Sequence, residues 1–400
     1  MTRTLFTGAR LIDGTGADPF EADLVVEDSR ILDIGSGLDG DEQVDLAGRA
    51  ILPGLFDCHT HIAITSIDMM RSLQTPFSYQ FFQAIHNLEA TLRIGITTVR
   101  DAGGADLGIK QAVEDGLIRG PRMQISLSMI SQTGGHGDGW MPSGNTVRFV
   151  VEHPGVPSTL VDGVDEMRHK VRELVRMGAD VIKVAVSGGV LSPRDKPTHA
   201  HFRPAELEAL VEEASAAGIW VMAHAQATPG IKNAIRAGIR SIDHGIYLDD
   251  EAISLMLEHE TWLVPTLMAP LGVIDAADAG AAIPEASVAK AREVVEIHQA
   301  SFASAVAAGV KVAMGTDSGV TPHGSNLREL ALMVEGGMTP MQAIEASTRS
   351  AAELMGVADE LGTLQPGKRA DLVVVDGDPL DLATLADRIE AVYQDGVPVV

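Results

Sequence analysis

The chain of 400 residues predicts an α/β fold: a (β/α)8 barrel of the TIM type, carrying a small β-sandwich made from both chain ends. Three observations predict it. Eight apolar, β-rich runs recur through the middle of the chain, with helical patterns between most of them. Such strands, alternating with helices, make a parallel sheet covered on both faces. Eight units over about 300 residues suit a closed barrel better than an open doubly wound sheet. An open sheet would want a Gly-rich phosphate loop after its first strand, and DCHTHIAITS is not one. Third, the two ends differ from the middle and resemble each other.

Residues 1–54 hold TLFTGARLIDG, DLVVEDSRILDIG and QVDLAGRAILPG, short β-rich runs separated by Gly, Asp and Pro. They are expected to form the N-terminal part of the sandwich. Residues 55–352 are expected to form the barrel. Its strand runs, in order, are AILPGLFDCHTH, GITTVRDAGG, RMQISLSMIS, DVIKVAVSGG, IWVMAHAQ, RSIDHGIYL, TWLVPTL and KVAMGTDSG. Between them, VDEMRHKVRELVRMGA and PAELEALVEEASAAG show apolar residues at helical spacing. Gly178, Gly218, Gly238 and Gly309 stand where helices should stop. Residues 353–400, with ADLVVVDGDP and IEAVYQDGVPVV, return to short β-rich runs and should complete the sandwich. The 16 methionines, mostly in the middle, read as core filler.

Composition excludes several functions. Lys and Arg number 30 against 55 Asp and Glu, a net charge of −25. That balance argues against nucleic acid or an anionic membrane as partner, since both demand basic surface. The single cysteine, Cys58, excludes an internal disulfide framework. No basic-then-apolar leader and no run of about 18 apolar residues stands out, so a cytoplasmic location is expected.

The informative residues lie at the ends of the barrel strands, where a barrel carries its chemistry. The first strand ends in His59-Thr60-His61. Residues two apart on a strand share a face, so both imidazoles can reach one cation. Lys183 stands inside the apolar VIKVAV. A lone buried ammonium is costly. Either it pairs with a carboxylate, or it loses its proton and reacts with CO2 to give an anionic carbamate able to bridge two cations. The fifth and sixth strands end in His224 and His244, and the eighth in Asp317. A carboxylate there can ligate a cation and take a proton from bound water. One such residue would read as core or cap; six of them on five of the eight strand units read as a metal site.

This pattern resembles the amidohydrolase superfamily in its two-metal form. Within it, the chain is similar to the branch of prolidase-like Xaa-Pro dipeptidases, carboxypeptidase-like relatives, imidazolonepropionase and ochratoxin-hydrolysing amidases. PGLFDCHTH, the fourth-strand lysine, MAHA, DHG, GTDSG and the tail LGTLQPGKRADLVVVDGDP carry the resemblance across essentially the whole chain. It implies two divalent ions, zinc above all. His59, His61 and Asp317 would hold the more buried ion. His224 and His244 would hold the second, and carbamylated Lys183 would bridge both. The ligand types alone also allow cobalt or manganese. Asp317 would then move a proton from water to the leaving nitrogen.

Two loops match the dipeptidase-like branch: SQTGGHGDGWMPSG, with His136, and SGGVLSPRDKPTHAHF. His136 is a candidate for the substrate carbonyl or carboxylate. The family places a tyrosine near the sixth strand end, which makes Tyr247 the candidate donor to the developing oxyanion. Arg194, His199, His201 and Arg203 could meet a substrate carboxylate. Relatives often carry glutamine where His201 stands. His323 could line the mouth. Cys58, between Asp57 and His59, should turn away from the metals. The expected activity is cleavage of the amide bond before a C-terminal amino acid, in a dipeptide or an N-acyl amino acid. The alternatives are a cyclic-amide hydrolase, a deaminase, which the lysine disfavours, or a non-catalytic scaffold, which would have lost ligands. The partner would be a small molecule, with a homo-oligomer allowed by analogy.

Overall fold

The computed structural model describes residues 2–64, 66–158, 160–192 and 194–400. The middle of the chain forms the expected barrel. Its parallel strands are Leu55–Thr60, Ile96–Asp101, Arg122–Ile125 with Met129–Ile130, Val181–Ala185, Trp220–Ala225, Ser241–His244 and Trp262–Val264. Residues 311–318 supply the eighth side through single bridges instead of a continuous ladder. They close the ring. Leu263 N donates to Lys311 O at 2.8 Å on one side, and Cys58 N donates to Met314 O at 2.9 Å on the other. The third strand, expected as one run, is broken at Leu127, which adopts φ 66°.

The run AILPGLFDCHTH also divides. Arg49–Pro53 belongs to the sandwich and Leu55–Thr60 to the barrel. Gly54 lies between them because no side chain fits there: a Cβ would come within 2.2 Å of Thr97 Oγ1 and 2.8 Å of Asp371 Cβ. The sandwich ladder runs from Ile389–Gln394 through Leu372–Asp376, Arg49–Pro53, Arg3–Leu11 and Phe20–Glu27 to Arg30–Gly35. It closes on Phe6, Leu11, Leu24, Ile51, Leu372 and Val374, all buried.

Helices cover the barrel with apolar stripes at helical spacing. Val164–Arg176 buries Met167, Val171 and Leu174 and places Asp165 and Glu166 in its first turn, where the helix dipole favours acids. Gly178, Gly218, Gly238 and Gly309 all take left-handed φ angles just past helix ends. Along the first strand the side chains alternate. Phe56 and Cys58 pack outward against Ala351 and Leu354. Asp57 and His59 turn inward, so Cys58 is a buried core thiol away from the site. Among the described residues, no helix is long and apolar enough to cross a membrane.

Candidate metal centre

His59, His61, Lys183, His224, His244 and Asp317 line one cavity at the C-terminal mouth of the barrel. They come from five of the barrel's strand units, with His59 and His61 sharing the first, so the ring brings together residues that are far apart in the chain. His59 and His61 rings lie 5.4 Å apart, His59 and His244 5.1 Å, and His224 and His244 4.6 Å, centre to centre. Asp317 Oδ1 is 3.4 Å from His59 Nε2 and 3.1 Å from His61 Nε2. One ligand atom each from His59, His244 and Asp317 falls within a 4.8 Å cluster.

Each ring is oriented from behind. His59 Nδ1 donates to Asp243 Oδ2 at 2.9 Å. His61 Nδ1 donates to the Gly103 carbonyl at 2.8 Å. The Thr266 hydroxyl donates to the Pro265 carbonyl at 2.6 Å, so it accepts from His244 Nδ1 at 2.7 Å. These three rings keep Nε2 as lone-pair donor. His224 is reversed: Nε2 donates to the Gly188 carbonyl at 3.1 Å, leaving Nδ1. Such outward hydrogen bonds fix tautomer and ring plane, as metal-binding imidazoles require. Burial, with neighbouring cations adding to it, holds His224 and His244 well below the ordinary histidine range, so both rings are neutral and able to donate. The donor set fits a divalent cation.

The charged groups behind the cavity are mutually dependent. Lys183 Nζ donates to Asp243 Oδ2 at 2.9 Å, and Arg100 Nη2 reaches Asp243 Oδ1 at 3.3 Å. Arg100 also donates through Nε to the Cys58 carbonyl at 2.7 Å. Burial alone would raise the Asp243 carboxyl, but Lys183 and Arg100 outweigh it and hold it far below the carboxylate range. Burial pulls the Lys183 ammonium below its ordinary value against the opposing pull of Asp243. Burial would likewise raise Asp317, but His59 and His61 hold it well below normal, so it is ionised.

Two of these residues carry backbone strain. His244 has φ 75° and Asp317 φ 60°. A left-handed non-glycine costs about 1–3 kcal/mol and persists only where the surroundings over-determine it. Both residues stand where the barrel segment gives way to the loop after it, and both side chains line the cavity.

Comparison with known proteins agrees with this geometry. The profile of the Amidohydrolase family matches residues 50–399. The chain belongs to the amidohydrolase family. It is 35% identical to the ochratoxinase of Aspergillus niger over 399 residues, covering 94% of this chain and 82% of that one. A solved Xaa-Pro dipeptidase with methionine bound in its active site superposes with a TM-score of 0.90 at 34% identity, covering 99% of each chain. The imidazolonepropionase of Rhizorhabdus wittichii is more distant, at 28% over 407 residues and 93% of each chain. As an amidohydrolase, the protein hydrolyses amide bonds.

The other candidate residues of this amidohydrolase fall in different places. His136 lies in the cavity, stacked on His224 with ring centres 4.0 Å apart. Its Nδ1 is 3.0 Å from Ser192 Oγ, which in turn meets Asp195. Tyr247 does not line the cavity. Ile246, the residue before it, enters the wall, and Tyr247 packs half-buried in the adjoining apolar cluster. Arg194 lies over the Trp140 ring at 5.6 Å, exposed and outside the wall. His201 is buried behind the loop, 3.8 Å from Asp195 Oδ2. His323 sits beneath the first strand, its Nε2 3.3 Å from the His61 carbonyl oxygen and its Nδ1 3.2 Å from Thr91 Oγ1. Of these five, His136 alone lines that cavity.

Sequence reasoning passed over Asp243, Arg100, Thr266 and Arg148. The first two had a signal, a charged residue at an inward position of an apolar strand. Thr266 and Arg148 lie in loops, and nothing in the linear pattern marks them.

Proposed function

We propose that this amidohydrolase cleaves the amide bond before a C-terminal amino acid, in dipeptides or N-acyl amino acids, using two divalent ions, most readily zinc. His59, His61 and Asp317 would hold one ion, His224 and His244 the other, with Lys183 between them. The observation that carries this reading is the oriented set: four imidazoles in one cavity, each with its outward nitrogen already bonded. Lys183 is suited to carbamylation because burial favours its neutral amine. That amine adds to the carbon of CO2 and releases one proton. The carbamate keeps an N–H for Asp243.

Bound there, the ions would supply water ionised near neutral pH and a polarised carbonyl. The chain's own residues do the rest. Asp317 is ionised and close to both His59 and His61, so it accepts a proton at a carboxylate oxygen and returns it to the leaving nitrogen. Burial pushes His136 down to about 4, so it is neutral at working pH. With Ser192 donating to Asp195, the hydroxyl accepts from His136 Nδ1 and leaves Nε2 as acceptor. That suits a substrate N–H, where the sequence suggested a carbonyl or carboxylate. The similarity to ochratoxinase and to a dipeptidase holding methionine supports a substrate that ends in an amino acid.

The test is hydrolysis of Xaa-Pro, Xaa-Arg, Xaa-Phe and ochratoxin-type amides by zinc-loaded protein, each with a C-terminal amide control. Cleavage is expected to need the free carboxylate. Lys183→Ala and Asp317→Asn should each lower kcat/KM by about a thousandfold or more. Two metals per chain by elemental analysis with no cleavage anywhere on the panel would overturn the substrate class and direct the search to cyclic amides.

A further inference from the structure

Deepening that reading, and resting on it, we propose that Arg148 grips the free carboxylate of the substrate and that the apolar wall around it selects an apolar C-terminal residue. Arg148 lines the same cavity as the candidate ligands. Its Nη1 pairs with Glu152. Its Nε is buried and has no hydrogen-bond partner among the described residues. The guanidinium is a planar fork, and its Nε–Nη2 edge offers two parallel N–H groups matched to a carboxylate. A buried N–H without an acceptor is unfavourable until something completes it. A carboxylate supplied by the substrate would do so.

The competing cations are already engaged. Lys183 is held by Asp243. Lys290 donates to the carbonyls of Gly189 at 2.8 Å and Ser192 at 2.7 Å. Arg194 stands over Trp140 outside the wall. Asp138, the acid beside Arg148 in the wall, spends its oxygens on Gly134 N at 2.8 Å and Trp140 N at 3.1 Å and so anchors its own loop. In the same cavity as Arg148, Val147, Phe149, Val150, Leu191 and Val320 present apolar surface. A basic side chain on the substrate would find Asp138 already bonded to its own loop. An apolar one would be covered.

The experiment compares zinc-loaded wild type, Arg148→Met, Arg148→Lys and Glu152→Gln on N-benzoyl-L-phenylalanine and N-benzoyl-L-phenylalaninamide. Calorimetric binding of L-phenylalanine and L-phenylalaninamide is measured alongside. In Arg148→Met the preference for carboxylate over amide should fall by about tenfold or more, through KM, and calorimetry should lose the same preference. Arg148→Lys keeps the charge and loses the fork, so it should fall between. Glu152→Gln frees the guanidinium and should lower KM for the carboxylate substrate. If Arg148→Met does not fold, the other two variants decide, and an unchanged KM in both overturns the assignment. Wild type that cleaves carboxylate substrates, with Arg148→Met keeping the full preference, overturns the role of Arg148 and leaves the proposed function standing. Wild type that cleaves neither of these nor any member of the dipeptide and ochratoxin-type panel overturns the function instead. In that case a carboxylate preference in calorimetry that vanishes in Arg148→Met still supports Arg148 as the carboxylate reader.

Discussion

Asp243 does not line the cavity, yet three side chains of the site depend on it. It takes Lys183 and His59 on one oxygen and Arg100 on the other. Asp243→Asn would leave the buried Arg100 guanidinium without its counter-charge and weaken the acceptor that Lys183 and His59 share. Breaking a buried pair in this way costs about 3–5 kcal/mol. Loss of the group that orients His59 should also weaken metal retention by about 10–100-fold. Urea unfolding and chelator competition would measure the two effects separately. The six candidate ligands were legible in the sequence because each puts a polar group in or at the end of an apolar run. Asp243 was as visible, within IDHG, but its meaning depends on which strands face it across the barrel. That is a property of closure, which no linear pattern carries. Tyr247 illustrates the opposite case. The resemblance pointed to it, but the turn after His244 sends Ile246 inward and Tyr247 aside.

Glu329 governs an element. From the helix Arg328–Glu335 it accepts the backbone N–H groups of Leu267 at 2.7 Å and Met268 at 2.9 Å, at the start of the helix Met268–Asp278. It is fully buried, and burial pushes its carboxyl up to about 8 from an ordinary 4.5. The native state therefore keeps a proton that the unfolded chain releases. The stability this contributes is complete below the ordinary value and is lost as pH rises towards about 8. Wild type should lose stability across that window with a slope of up to about 1.4 kcal/mol per pH unit. Glu329→Gln cannot ionise and should lack that component, although it is less stable at low pH for want of a second acceptor. Thermal melts at stepped pH would separate the two proteins, and identical slopes would refute the assignment. At this scale the helix stops at Gly178, Gly218, Gly238 and Gly309 were readable, because glycine's tolerance of left-handed φ is a local property. The break at Leu127 was not. A leucine reaches φ 66° only where tertiary contacts hold it there.

At the scale of the molecule, Arg122 ties the barrel to the sandwich. It opens the third barrel strand and pairs with Asp371 and Asp395, and Asp395 also binds Arg369 at 2.6 Å. Asp371 is buried, so Arg122→Ala would strand its charge. A loss of about 2–3 kcal/mol is expected, since hydrogen bonds to charged groups are worth that much and an orphaned carboxylate adds its own desolvation. Denaturant titration would measure it, with the barrel's metal site as an internal control. The architecture was legible because eight strand–helix units and two β-rich ends exhaust the chain. The clasp at Arg122 was not, since it joins residues that only the folded ends bring together.

The shared sheet also fixes an order of events during synthesis. Ile51 pairs with Val374. A chain leaving the ribosome from its N-terminus therefore carries the strand Arg49–Pro53 with one bare edge until Leu372–Asp376 has been made. That edge is a template for wrong partners until its own arrives. The barrel has the same dependence, because the segment 311–318 that seals against the first strand emerges late. A message cut short before codon 372 would thus yield a protein with all six candidate ligands and an unsealed seam. Such a product is a substrate for chaperones or a seed for aggregates, and it places the cell's quality check on the late arrival of the strand Leu372–Asp376.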